Sequence, residues 1–470
     1  MHSKKYWGLN KTQGHVFCVG IRKCIIMFNK LLTPVIILSL LATACKNKLS
    51  KKEQNAGKED TVTTSVGQPV NLPAPYATKS STKFSNVIGW PAGKTPVAPE
   101  GFTVTKFADD LNNPRWLYIA PNGDILVAEA STDPGAVKKV KGAITGKNKS
   151  QNVGNSGNRV ILFRDKDGDG KFEIRSTFVE GLNKPFGMLI IGNTFYVANT
   201  DALLQFPYQP GATKINGTGK KILELPAGGY NNHWTRNLIA NKDNSKIYIS
   251  VGSGSNVAEN GMENEIRRAN ILEINPDGSG ERIFASGLRN PVGMGWAPGT
   301  NTLWTAVNER DELGDDLVPD YITSVKEGGF YGWPYSYFGQ HEDPRMKDKQ
   351  KPDLVKKAIV PDVALGAHTA SLGLAFDEKG VLPGKFKNAA FIGQHGSWNR
   401  SELAGYKVVY VPFSNGKPSG PHQDFLTGFI TGEDNKVYGR PVGIALTQNG
   451  AMLVADDASN TIWRVSANNK

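Results

Sequence analysis

From residue 113 onward the chain keeps returning to one pattern of apolar and polar positions. A Pro- or Arg-led apolar run is followed by a Gly/Asn/Asp turn, then by a second apolar run that ends in small or acidic residues. The first copy reads Pro114-Arg115-Trp116-Leu117-Tyr118-Ile119, then the turn Pro121-Asn122-Gly123-Asp124, then Ile125-Leu126-Val127-Ala128-Glu129. Further copies begin at Pro185, Arg236, Pro291, Leu372 and Pro441, a spacing of roughly 50 to 80 residues. Short β-branched and aromatic runs bounded by turn residues predict strands, and no amphipathic helix longer than two turns interrupts them. The stretches between copies supply further strands, such as Arg159–Phe163 and Tyr406–Val411. Six repeats of this length suit four-stranded blades, so the expected fold is all-β, a six-bladed β-propeller over residues 86–470. Two stacked β-sandwiches are the alternative.

In such a ring the starts of the six copies converge at one mouth of the axial tunnel. That gathers Arg115, His233, Arg236, Asn237, Arg289, Asn290, His368 and Arg440, with Glu129, Asn199, Glu309, Asp311, Gln394, His395 and Asp456 from the blade ends. A pocket this rich in arginine suits an anionic or carboxylated ligand, because guanidinium forks match carboxylates.

Composition trims the picture at the N-terminus. Leu31–Leu41 is an apolar run too short for an ordinary span; a lysine precedes it, and Ala42-Thr43-Ala44 and then Cys45 follow. Residues 1–45 therefore read as a secretory signal of lipoprotein type, with Met27 the expected start and Cys45 the acylated thiol. A plain cleaved signal is the other reading. Residues 46–85, rich in Lys, Glu, Asn, Ser, Thr and Pro, are expected to be a flexible linker. The expected location is the periplasm or the outer membrane, with the lipid as sole membrane contact. Removing residues 1–45 leaves 49 Lys/Arg against 43 Asp/Glu, so the formal +12 falls to +6. That mild excess gives no argument for nucleic acid. All three cysteines (Cys18, Cys24, Cys45) fall in or at the edge of that leader, so the folded part carries no disulfide.

Six motifs then occur in order: Asn232-His233-Trp234-Thr235-Arg236-Asn237-Leu238, Gly287-Leu288-Arg289-Asn290-Pro291-Val292-Gly293, Asn308–Asp316, Gly329-Phe330-Tyr331-Gly332-Trp333-Pro334, Gly396-Ser397-Trp398-Asn399-Arg400 and Gly439-Arg440-Pro441-Val442-Gly443. Together they resemble the soluble sugar dehydrogenases that depend on pyrroloquinoline quinone (PQQ), in their L-sorbosone dehydrogenase-like branch. The resemblance implies PQQ and Ca²⁺ at the tunnel mouth, with an external electron acceptor. It implies His233 as the base that takes a hydroxyl proton from an aldose or aldehyde hydrate. Arg289 and Asn290 match the pair on the quinone carbonyls, and Arg440, with Arg400 as second choice, matches a cation on the cofactor carboxylates. Glu309, Arg310 and Asp311 match the calcium loop, partly through main-chain oxygens.

Other readings stay open. Asp165, Asp167 and Asp169 in Asp165–Glu173 resemble the opening of a calcium loop, but Ser176 stands where the twelfth-position Glu belongs, so a plain hairpin turn competes with a structural Ca²⁺. His233, His368 and His395 are candidates for a three-histidine metal site. The charged insert 340–360 is expected to be an exposed loop over the pocket. A carbohydrate-binding propeller without catalysis and a metal-dependent lactonase are the competing functions.

Overall fold

The computed structural model describes residues 66, 71–132, 142, 145–150 and 156–468; residues 1–45, expected to be a leader ending at Cys45, lie outside them. Six sheets, each with four antiparallel strands, form the blades of a propeller, and the third gains a short fifth strand, Gly329–Phe330, paired parallel to its outer edge. Blade 1 is Pro114–Ile119, Ile125–Glu129, Arg159–Arg164 and Ile174–Val179, and blade 2 is Met188–Ile191, Thr194–Ala198, Ala202–Pro207 and Lys220–Glu224. Blade 3 is Leu238–Ala240, Ile247–Val251, Asn270–Ile274 and Arg282–Ser286, and blade 4 is Pro291–Trp296, Leu303–Val307, Pro319–Ser324 and Val363–Ala367. Blade 5 is Ser371–Phe376, Ala390–Gln394, Lys407–Val411 and Gln423–Leu426. The six repeat starts read from the sequence are the six innermost strands.

The sixth blade explains how the ring closes. Pro441–Leu446, Met452–Asp456 and Thr461–Ala467 are completed by Phe102–Ala108 from the other end of the domain, with Phe102 opposite Ala467. That pairing removes two exposed sheet edges at once, the usual liability of an open β-structure.

Burial follows strand position within each blade. Five of the six second strands, including Ile125–Glu129, Ile247–Val251, Leu303–Val307 and Met452–Asp456, are buried at every residue, and in blade 2 only Thr194 is partly exposed. They are covered on both faces by neighbouring blades, which is why they read as continuous apolar runs. The outer strand Lys220–Glu224 has no fully buried residue. Between blades the core is aromatic: Trp116 of blade 1 stacks on Phe186, just before blade 2, at 4.6 Å between ring centroids.

The recurrent glycine of the inner strands has a steric cause. A Cβ on Gly187 would lie 2.4 Å from Leu238 N, one on Gly293 2.4 Å from Leu374 N, one on Gly373 2.1 Å from Val442 O, and one on Gly443 2.9 Å from Arg115 O. Inner strands of successive blades meet backbone to backbone at these points, a spacing only glycine allows. The crossing strands draw the motif residues that flank them to one mouth.

Two segments differ from expectation. Residues 71–85, assigned by composition to the linker, lie against the propeller through a series of specific hydrogen bonds, beginning with Tyr76 N to Leu313 O at 2.7 Å. Their polar groups find partners on a surface loop, which composition alone does not reveal. The insert 340–360 forms short helical turns at Pro344–Lys349 and Pro352–Val355, and its Asp343 makes a buried ion pair with Arg310 at 2.7 Å. No residue of it lines the tunnel mouth. No helix among the described residues is long and apolar enough to cross a membrane.

Candidate active site

The tunnel opens at one end into a cavity of about 180 Å³ to which all six blades contribute. His233 sits in the loop that leads into blade 3, where Asn232 N bonds Gly254 O at 2.9 Å. Arg236 braces this loop from behind, donating to the carbonyls of His233, Thr235 and Pro226 at 2.6–2.8 Å. Burial, and then the neighbouring Arg268, push the Arg236 guanidinium down to about 9.

The histidine has a defined tautomer. Its Nδ1 lies 2.8 Å from the Ser253 carbonyl oxygen, which can only accept, so Nδ1 carries the proton. Ser253 Oγ, 3.0 Å from the same nitrogen, already donates to Ser255 O at 2.6 Å and so offers a lone pair to Nδ1–H. Nε2 is left with its lone pair. Burial, then the positive field of Arg289, push the imidazole down to about 3, so it is neutral near pH 7. A neutral imidazole with an unprotonated nitrogen at a cavity wall can accept a proton.

Across the cavity stands a second histidine with a different partner. His395 Nε2 contacts Asp457 Oδ1 at 2.7 Å, and Arg115 contacts the other carboxylate oxygen. Burial, with Arg440 nearby, lowers His395 to about 3, while His395 and Arg115 outweigh burial and hold Asp457 below the usual carboxylate range. The pair is a neutral imidazole donating to an ionised carboxylate. Arg440 lies beside it, buried, and donates to the carbonyls of His395 (2.8 Å), Ser150 (2.7 Å) and Gly396 (2.9 Å).

The residues named from sequence separate into two groups. His233, Asn290, Arg440, Arg115, Asp311 and His395 line the cavity. Arg289 does not: it is buried, and its five N–H groups reach Asn256 O, Asn308 O, Glu309 O, Asn256 Oδ1 and Asp311 Oδ2 at 2.6–3.3 Å. It ties the 253–256 loop to the 308–311 loop, and its own carbonyl accepts from Ser253 N at 2.8 Å, so it positions the partner of His233. Arg400 also stands outside the cavity lining and holds Asp316 at 3.0 Å. Asn290 keeps a buried side-chain oxygen without a partner.

Of the expected calcium loop only Asp311 lines the cavity. The Glu309 side chain is buried behind it, where desolvation raises its carboxyl to about 7 against the pull of Arg289. Arg310 turns away to Asp343. The Glu309 carbonyl already accepts from Arg289, and that of Asp311 from Arg310 and Asn256. His368 is committed too, with Nε2 on Gly314 O at 2.8 Å and Nδ1 3.4 Å from Asp311 Oδ1. The Asp311 contact overcomes burial and raises its pKa, while Asp311 itself is lowered, His368 and Arg289 prevailing over burial. A three-histidine metal site is not formed: the one cluster of potential ligands among the described residues is Asp165, Asp167, Asp169 and Glu173, whose oxygens lie within 4.8 Å of one another. There the ninth residue of the loop, Glu173, joins the aspartates, while Ser176 lies on a strand and bonds Thr213 O. The Asp165 carboxylate also caps the N–H groups of Gly168 and Gly170, as a hairpin turn requires.

Sequence reasoning passed over Lys147, Asp457 and Ser253. The first two line the cavity and the third orients His233. Lys147 belongs to an insertion within blade 1 with no motif of its own. Asp457 directly follows Asp456, which was named in its place; only the turn after the strand decides which of the two faces inward.

The family model described as TrAA12-like matches residues 96–320 and 336–468. A protein of Borreliella burgdorferi with no assigned activity is 28% identical over 381 residues, covering 78% of this chain and 89% of its own length. The pyrroloquinoline quinone-dependent pyranose dehydrogenase of Coprinopsis cinerea is 25% identical over 426 residues, 77% of this chain and 53% of that protein, so the chain spans about half of its length. The solved PQQ domain of the Coprinopsis cinerea pyranose dehydrogenase superposes with a TM-score of 0.63 at 19% identity, covering 82% of this chain and 100% of that domain.

Proposed function

The chain belongs to the TrAA12-like family, and from that footing we propose that it is a PQQ-dependent oxidoreductase that oxidises a sugar at the mouth of its tunnel. The observation that carries the reading is His233: a neutral imidazole, its Nδ1–H committed to Ser253 and its Nε2 free, on the wall of a cavity that also holds Arg115, Lys147 and Arg440. The donor set suits PQQ, a planar tricarboxylate. Arg440 and Lys147 offer cationic donors for carboxylates, and the Asn290 side chain offers an amide, its NH₂ to donate to a ring carbonyl and its unpartnered oxygen to accept from a ring N–H. For an accompanying Ca²⁺, Asp311 is the one carboxylate of the expected loop that lines the cavity, and it would supply a hard oxygen there while also facing Arg289 and His368. When bound, PQQ supplies an ortho-quinone that accepts two electrons and a proton from the substrate carbon.

The chain's own groups account for the remaining work. His233 Nε2 takes the proton of the substrate hydroxyl as the C–H bond is broken. Arg289 holds the 253–256 loop in place, so that the Ser253 carbonyl keeps the proton on Nδ1. The positive field of Arg115, Lys147 and Arg440 favours the negative charge that oxidation places on the acceptor. Aldoses and aldehyde hydrates of the sorbosone type are the substrates proposed, with an external acceptor to reoxidise the site.

The test is reconstitution. Purified apoprotein receives PQQ and Ca²⁺, and dye reduction is followed with a panel of aldoses and aldehydes. Saturable binding with sugar-dependent dye reduction supports the reading; no absorbance change on adding PQQ, or no turnover with any sugar, sinks it. A carbohydrate-binding propeller would instead bind sugar without dye reduction.

A further inference from the structure

Residues 71–85 have the composition of a tether, yet they form a strap across one rim of the cavity. Thr78 Oγ1 accepts from Asp315 N at 2.9 Å, Ser80 Oγ accepts from Gly314 N at 2.9 Å, and Ser81 N donates to Asp315 Oδ1 at 3.1 Å. Asn399 Nδ2 donates to Ser81 O at 2.9 Å, and Lys83 N donates to Trp398 O at 2.9 Å. The Phe84 ring stacks on Trp398, centroids 5.9 Å apart and planes at 10°, and Ser85 Oγ pairs with Ser150 Oγ at 3.0 Å. Strap and loop fit without slack: a Cβ on Gly314, whose φ is 122°, would lie 2.8 Å from Thr78 Oγ1.

The strap's contacts lead directly to the cavity. Gly314 O accepts from His368, which pairs with the cavity residue Asp311. Ser150 O accepts from Arg440. Trp398 itself lines the cavity. Trp398 is half-buried on a surface loop and turns about only two side-chain torsions, so a single aromatic neighbour is enough to fix its orientation before a ligand arrives and to remove that ordering from the cost of binding.

We propose that Phe84 is a specificity-determining positioning residue: by stacking on Trp398 it holds the indole as a platform on the cavity wall against which the C–H face of a sugar ring packs. The inference rests on the sugar-oxidising reading above. It makes the segment between the leader and the propeller part of the site. The platform's apolar face discriminates by ring shape and leaves the hydroxyl to be oxidised free to meet His233.

The experiment uses the full-length chain with 5-fluorotryptophan in place of tryptophan, the Trp398 fluorine resonance being assigned with Trp398→Phe. In the apoprotein, Phe84→Ala shifts and broadens that one resonance, Phe84→Tyr leaves it near its wild-type position, and the melting temperature stays within a few degrees of wild type. In protein loaded with PQQ and Ca²⁺, Phe84→Ala raises KM for the best aldose by about tenfold, the order of one aromatic stack, with kcat changed by less than about twofold, and Phe84→Tyr restores KM. A Trp398 resonance that does not move in Phe84→Ala overturns the strap's role, as does an unchanged KM or a parallel fall of kcat and KM-independent active fraction. A wild-type protein that oxidises no sugar overturns the ligand assigned to the platform, and the fluorine spectrum then still decides whether the strap holds Trp398.

Discussion

The two mouths of the tunnel are built from the same six inner strands and differ in almost everything else. At one end the strand starts carry His233, Asn290, Arg115 and Arg440 around about 180 Å³. At the other, the far ends of those strands surround a larger hollow of about 440 Å³ lined by Trp116, Met188, Leu238, Met294, Phe376 and Ile444, with charged groups only near Asp377–Lys379. Volume therefore does not locate chemistry here. The smaller mouth brings together oriented polar groups whose protonation is set by their surroundings, and that is what a reaction needs. The larger mouth is where blade ends fail to fill the axis.

The sharpest way to break this contrast is at His233. His233→Ala is expected to lower kcat of the reconstituted enzyme by about a thousandfold, within the range for a lost general base, while PQQ binding followed by absorbance persists. Loss of binding with no separate loss of turnover would reassign the residue to structure. Next in size is Arg440→Gln, expected to weaken PQQ binding roughly ten- to a hundredfold, the worth of charge-assisted hydrogen bonds in a buried site. Calorimetric titration of the apoprotein checks it, and an unchanged affinity would leave Lys147 and Arg115 as the carboxylate partners.

Acidity offers a third probe, specific to the polar mouth. His233 is held near 3, whereas an unfolded histidine titrates near 6.5. Above pH 6.5 both states are neutral and its contribution to stability is complete. As pH falls from 6.5 toward 3 the unfolded chain binds a proton that the folded chain refuses, so stability is lost. Glu309 has the opposite sign: raised to about 7, it contributes fully below its ordinary 4.5 and loses that contribution as pH rises through 7. Denaturant titrations at pH 7, 5.5 and 4 should show wild type weakening more steeply on acidification than His233→Asn. By the same shift, kcat/KM should lack a His233 inflection near 6.5 and fall only well below pH 5. The smallest effect is expected at the apolar mouth. Met294→Leu, which preserves volume, should change turnover by less than about twofold and stability by less than about 1.5 kcal/mol. A large kinetic effect there would mean that the two mouths are coupled.

How far the sequence could be read differs between strand and side chain. The repeat starts at Pro114, Pro291 and Pro441 coincide with inner-strand starts, because a short apolar run bounded by Pro, Gly and Asn is too short for a helix and forms a strand wherever both its faces are covered. Gly293 and Gly443 stand in the sequence motifs, although their reason, backbone contact with the next blade, does not show there. Arg289 shows the limit. Its motif drew attention to it, yet five internal acceptors turn it from a ligand contact into a brace. Nothing in Gly287–Gly293 says where Asn256 and Asn308 lie, and those partners decide which way the guanidinium points. Residues 71–85 show the converse, polar groups that look solvated in sequence and are paired in the fold with residues more than 200 positions away.

The chain by itself determined the all-β class, the sixfold repeat and the meeting of five of the six motifs at one mouth, the one at 329–334 standing outside it, since these follow from local periodicity and from the closure of a ring. Only the tertiary structure decided which motif residues face the cavity, which proton His233 keeps and that Phe84 lies against Trp398. Those depend on hydrogen-bond partners and burial contributed by other blades, and a side chain's direction and charge state are settled by its surroundings in space.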